Sequence, residues 1–213
     1  MVENGVLPTS LDVEVDAFES ELRTWRNQEM ALIASDDIAM KANVPDTLLA
    51  VTSVAEKATQ AAVELHLSKL QQRYGVCCKP DGEEVSFTVL GMGKLGGREL
   101  NFSSDIDLIC LYDAPGVCDG SGRLSAEEFY TKLVKAVTKS LNSITAEGFV
   151  FRVDLRLRPY GGAGPLAMHF DQAEAYYEMH GRDWERYAFI KARPVAGDIA
   201  AGEAFLERLK PFI

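Results

Sequence analysis

Apolar positions follow a helical period at both ends of the chain and a strand period in the middle. From about Leu11 to Tyr74 the repeat is near about 3.6 residues: Phe18, Leu22 and Trp25, with Leu32 and Ile33, form one stripe, and Leu49, Val54, Val63, Leu67 and Leu70 form a second. Ser10 is the expected cap of the first helix, because Asp12, Glu14 and Asp16 follow it and acids favour a helix start; Pro45 separates the two helices. The polar turn Cys78-Lys-Pro-Asp-Gly-Glu-Glu84 leads into an apolar run, Val85 to Leu90, that predicts a buried strand. That run breaks at Gly91-Met-Gly-Lys-Leu-Gly-Gly97 and resumes as the strand Asp105-Ile-Asp-Leu-Ile-Cys-Leu-Tyr112. Beyond the loop Asp113 to Arg123, Ser125-Ala-Glu-Glu128 has the form of a capping box, opening a helix with Phe129, Leu133, Val137 and Leu141 on its apolar stripe. Phe149 to Arg158 alternates strictly, which predicts a strand with Arg152, Asp154, Arg156 and Arg158 on one face. After Pro165 the pattern reads as helical to the end, with Arg182, Arg186 and Arg193 on one helix face and a last helix from Ile199 to Leu209. The segment Pro211-Phe-Ile213 reads as a cut end.

The chemistry sits in the middle. Asp105 and Asp107 alternate with Ile106 and Leu108, so on a strand both carboxylates share one face, where they repel each other. A divalent cation is their natural partner, and hard oxygen ligands without His or Cys point to magnesium. Gly91, Gly93 and Gly96 spell the dinucleotide-binding pattern, but that pattern opens a full helix, whereas here a few residues lead to another strand. Ser103 and Ser104 read either as ligands of water or phosphate or as turn formers before a strand. An acid among three arginines, Asp154 with Arg152, Arg156 and Arg158, suits a third metal carboxylate beside phosphate-binding guanidiniums; the bland reading is a solvated charged edge. His66, among apolar neighbours on its helix, reads as structural.

Composition narrows the partners. The 213 residues suffice for one or two domains, and the net charge of -10, from 32 acids against 22 bases, disfavours a nucleic-acid backbone as ligand. Four cysteines without paired spacing, Cys77, Cys78, Cys110 and Cys118, read as reduced thiols. The first ten residues lack an apolar leader pattern and no run reaches membrane-spanning length, so cytoplasm is the default and no membrane is expected.

A glycine turn followed by a strand bearing Asp-x-Asp resembles the active-site signature of the nucleotidyltransferase superfamily. Gly91 to Leu108, Gly148 to Pro165 and Gly181 to Asp198 together resemble, in order, the glutamine synthetase adenylyltransferase/adenylyl-removing family. Lys94 departs from the Gly-Ser usual in the wider superfamily, and the closer family has this lysine. The resemblance implies an α/β (α+β) fold: a nucleotidyltransferase-like mixed sheet core over 76–170, preceded by a helical segment over 1–75 and followed by a helical segment over 171–213. It implies catalytic and metal roles for Asp105, Asp107 and Asp154, with one or two magnesium ions. Gly93, Lys94, Gly96, Gly97, Ser103, Ser104, Arg156 and Arg158 would bind the nucleotide or phosphate. Glutamine synthetase is the implied protein substrate, phosphate and ADP or ATP the small reactants, and a PII-type signal protein a partner of full-length members. Family enzymes carry two such units, one removing AMP by phosphorolysis and one attaching it from ATP. Asn101-Phe-Ser-Ser-Asp-Ile-Asp107 and Gly181-Arg-Asp-Trp-Glu-Arg-Tyr187 resemble the removing unit, since the attaching unit usually reads tyrosine before the serines. One unit alone implies a fragment, an excised domain or a short gene product. Its alternatives are ATP-dependent adenylylation and a fragment that only docks on glutamine synthetase. An aminoglycoside-type small-molecule nucleotidyltransferase shares the Asp-x-Asp strand but leaves the Gly181 to Asp198 block unexplained.

Overall fold

The structure is a computed structural model that describes residues 6–213. The reading of a missing leader falls largely on residues 1–5, outside the described residues. Helix α1 (Val15–Ile38) starts later than Ser10 predicts: Glu14 precedes it without a side-chain cap, and Ser10 lies in the irregular segment before it. Helix α2 (Val44–Tyr74) is capped by Asn43, whose side chain accepts from Asp46 N–H at 2.9 Å, and Pro45 sits in its first turn, where a missing N–H costs nothing. Of the stripe expected on α2, Val54 and Val63 are buried, while Leu49 is 47% exposed.

Two short strands, β1 (Cys77–Cys78) and β4 (Val117–Cys118), pair as a separate ribbon. They bring Cys77 opposite Cys118, and the two are joined as a disulfide, which corrects the reading of four thiols; Cys78 and Cys110 are free. The partners are 41 residues apart in sequence, so only the fold reveals the pair.

The main sheet contains β2 (Phe87–Gly91), β3 (Ile106–Tyr112), β5 (Val153–Asp154), β6 (Ala167–His169) and β7 (Arg193–Gly197). Its order is β5-β3-β2-β7, with β6 also on β3. Strand β2 is antiparallel to both neighbours, whereas β5 and β6 run parallel to β3, so the sheet is mixed. Alternation assigns two faces. Phe87, Val89, Ile106, Leu108, Cys110 and Tyr112 pack on one side with residues of α1, α2 and α4 (Ala126–Asn142). Leu90, Ile109 and Leu111 pack on the other with α5 (Phe170–His180), α6 (Asp183–Phe189) and α7 (Ile199–Leu209). The capping box of α4 forms as expected, Ser125 and Glu128 each satisfying the other's backbone. His66 donates from Nε2 to Ser140 Oγ at 2.7 Å, because the single Ser140 proton goes to Glu19 Oε1, also at 2.7 Å. It is a structural histidine.

Two expectations fail. The strand Phe149 to Arg158 is paired only at Val153–Asp154. Before it, Val150 and Phe151 turn into the core, both N–H groups donating to the Leu141 carbonyl; after it, the chain bends into a loop. The segment after Pro165 is not wholly helical, since β6 and β7 interrupt it. Arg193 therefore lies on a strand and shares no helix face with Arg182 and Arg186. The core of β7, Pro194-Val-Ala196, is buried on both sides, so it shows no alternation by which to recognise a strand.

One turn of helix, α3 (Gly93–Gly96), links β2 to β3 and is wedged against the start of β7. A Cβ on Gly96 would lie 2.1 Å from Lys191 O and 2.4 Å from Gly91 O, both backbone atoms that cannot swing aside. Among the described residues no helix is long and apolar enough to cross a membrane. Gly96→Ala is expected to lower stability by about 1–3 kcal/mol in urea unfolding, by forcing α3 and β7 apart; an unchanged midpoint would show that this contact is loose.

Candidate active site

The glycine turn is built onto the start of β3. Met92 N–H donates to Asp107 O at 2.9 Å, which starts the turn over that residue. Gly93 then takes φ +53°, and a Cβ there would lie 3.3 Å from Asp107 Oδ2, so glycine serves both the left-handed backbone and the close approach to a carboxylate. The N–H groups of Gly96 and Gly97 close the turn on Met92 O and Gly93 O, so these two shape it. Lys94 is exposed and reaches Ser104 Oγ at 3.4 Å, and Ser104 donates to Asn101 Oδ1 at 2.8 Å. Ser103 N–H bonds the same oxygen at 3.3 Å, so Asn101 organises the turn that delivers both serines beside Lys94 and Asp105.

Arg193 fastens this turn from behind. Its guanidinium donates to Gly96 O and Leu95 O, each at 3.3 Å, and is paired with Glu56 of α2. In the sequence Arg193 reads as one of three helix-surface charges, and nothing marks Glu56. The signal present was a charged residue bordering a short apolar run, which is too common to identify a staple.

The three aspartates gather at the first residues of β3 and β5, where Asp107 and Asp154 are direct partners in the parallel pair. Asp105 is ion-paired with Arg152, which also bonds Ser103 O at 2.8 Å. Asp154 accepts from three donors of Arg156: its backbone N–H at 2.8 Å, Nε at 2.8 Å and Nη2 at 2.5 Å. Asp107 makes no ion pair within 4.0 Å among the described residues. Arg158 does not join this face. Its guanidinium donates to the carbonyls of Leu155, Gly162, Gly164 and Pro165 and so ties the loop after β5 together, leaving Arg152 and Arg156 as the exposed arginines beside the acids. The bend after Asp154 rotates Arg158 off the strand's alternation.

A family model described as glutamate-ammonia ligase adenylyltransferase matches residues 6–208. The chain belongs to that family. It is 48% identical to the bifunctional glutamine synthetase adenylyltransferase/adenylyl-removing enzyme of Thioalkalivibrio sulfidiphilus, in a match covering all of this chain and 22% of the relative. Proteins of the same description from Methylococcus capsulatus and Xanthomonas campestris are each 46% identical, covering 90% and 91% of the chain and 20% and 21% of the relative. The chain thus spans about one-fifth of the length of the curated relatives it matches.

In this family member the electrostatics of neighbouring acids diverge. Burial raises the Asp107 pKa, and the charges of Asp154 and Asp105 raise it further against an opposing pull from Arg156. The Asp154 pKa is lowered, chiefly by the hydrogen bonds from Arg156. Among the described residues no three Asp, Glu, His or Cys side chains form a ready metal cluster. Asp105 and Asp154 are each paired with a guanidinium, which places positive charge beside the acids. The donor chemistry fits magnesium: hard oxygens only, and an Asp107 carboxylate disfavoured in its charged form by burial and by the charges of Asp154 and Asp105.

Because its native pKa exceeds its unfolded value, Asp107 makes the native state the proton-richer one. Its cost to stability is absent below the unfolded pKa and full above the native one. Asp107→Asn is accordingly expected to raise Tm at pH 8 by about 2–4 °C, equivalent to about 1 kcal/mol, with the gain shrinking on acidification. A loss of stability at pH 8, or a gain that grows toward acid, would contradict the assignment.

Proposed function

We propose that this chain removes AMP from adenylylated glutamine synthetase by phosphorolysis, releasing ADP. The observation that carries the reading is the seating of the Gly93 turn directly on the Asp107 carboxylate, with Asp154 opposite it in the sheet. This unites a phosphate-approaching backbone with acids that favour a cation. Asp105, Asp107 and Asp154 would hold magnesium, which when bound supplies positive charge against the phosphoryl oxygens.

The chain's own groups account for the remaining steps. Lys94 projects beside the turn and neutralises a phosphate lying on it. Arg156 is mostly exposed and offers a planar fork that suits an anion lying beside Asp154. Inorganic phosphate attacks the AMP phosphorus, a new P–O bond forms, and the bond to the tyrosine oxygen breaks. The electron pair leaves with the tyrosine oxygen, and the proton carried by monohydrogen phosphate ends on the phenol. The direction is supported by the Asn101-Phe-Ser-Ser stretch and by this exposed arginine, which suits capture of a free phosphate.

The test incubates AMP-modified glutamine synthetase with this chain, magnesium and phosphate, and measures ADP. Phosphate-dependent ADP is expected, falling by at least ~100-fold in Asp105→Asn without loss of fold. AMP incorporation from labelled ATP, with no phosphorolysis, would assign the chain to the attaching reaction; stable association with neither reaction would make it a docking fragment.

A further inference from the structure

The loop that leaves β5 holds an aromatic residue in a strained and deliberate-looking position. Tyr160 lies six residues beyond Asp154, has φ +61°, and is 54% exposed. A left-handed backbone is unfavourable for a bulky side chain and persists only where surroundings enforce it. Here Arg158 enforces it, spending its donors on the carbonyls on either side of Tyr160.

The ring is also supported from beneath. Tyr160 packs on Tyr176 with centroids 4.5 Å apart, and the Tyr176 hydroxyl donates to Glu185 Oε1 at 2.9 Å. Glu185 is buried, and its other oxygen accepts from the Arg182 N–H at 2.8 Å, so the carboxylate is held at both ends. Tyr176 packs against the core cluster that includes Ile109 and Leu111, which continue the Asp105 and Asp107 face of β3. Tyr160 therefore stands on the side of the sheet that carries the acids. Gly164 leaves it room, since a Cβ there would lie 3.1 Å from Tyr160 Cβ.

We propose that Tyr160 is the stacking platform for the purine ring of the nucleotide, a specificity-determining residue whose aromatic face is fixed by Arg158, Tyr176 and Glu185. The inference rests on the functional reading above. A rigid aromatic held by packed and hydrogen-bonded supports, one loop away from the proposed phosphate site, fits a neutral π-face ligand, since stacking requires area and orientation and no hydrogen-bond code. Arg156 then meets the phosphate end and Tyr160 the base end of one ligand.

The experiment measures Kd for magnesium-ADP, magnesium-CDP and magnesium-pyrophosphate by calorimetry, on the 213-residue chain and on Tyr160→Ala and Tyr160→Phe. Tyr160→Ala should weaken ADP by about tenfold or more, weaken CDP less and leave pyrophosphate unchanged, with Tm near that of the parent; Tyr160→Phe should restore ADP binding. An ADP affinity unaltered by Tyr160→Ala, or an equal loss for pyrophosphate, overturns the proposal while leaving the parent reading intact. A parent chain that binds no adenine nucleotide overturns both.

Discussion

The site depends on a conflict between burial and charge. Ile106 and Leu108 are 0% and 2% exposed, and burying each is worth about 1.5–3 kcal/mol, whereas repulsion between two half-solvated carboxylates amounts to about 1 kcal/mol. The core therefore wins, and strand alternation forces Asp105 and Asp107 onto the same face. Pairing Asp154 opposite Asp107 adds a third charge at the same place. The surroundings follow from that concentration of charge: a turn with no side chain at Gly93, guanidiniums on the two outer acids, and an inner acid whose proton affinity is raised.

The arginines near the acids divide the labour. Arg152 and Arg156 neutralise, each with an outer carboxylate, and remain accessible enough to exchange partners. Arg158 and Arg193 are committed to backbone carbonyls and hold two loops in shape, one after β5 and the other at the glycine turn. A guanidinium has five donors in a fixed fork, which suits it to bridging several carbonyls of a loop that has no ladder of its own. Lysine at either position would leave most of those carbonyls without a partner.

Much of the site was legible in the sequence because it is local. Glycines, Lys94, the serines and two aspartates lie within one stretch, and period-two alternation alone places the acids on a shared face. The mixed α/β architecture was equally readable, from helical periods at the ends and strand periods between. What failed was non-local. Strand β7 looks helical in sequence because pairing with β2, and burial on both sides, define it as a strand. Arg158 appeared to follow a strand that continues past Asp154, but the chain bends there, and only the bend shows which way its guanidinium points. The Cys77 and Cys118 pair was invisible for the same reason, since their adjacency is created by the ribbon.

The proposed cation site of Asp105, Asp107 and Asp154 is tested most directly by titrating the chain with Mn2+ and following the free ion by electron paramagnetic resonance. Saturable binding of one or two ions is expected, displaced by excess magnesium and lost in Asp154→Asn, a variant that keeps the β5 pairing. No saturable binding, or binding that survives in Asp154→Asn, would contradict it, and would leave the guanidiniums as the permanent counter-charges of these acids.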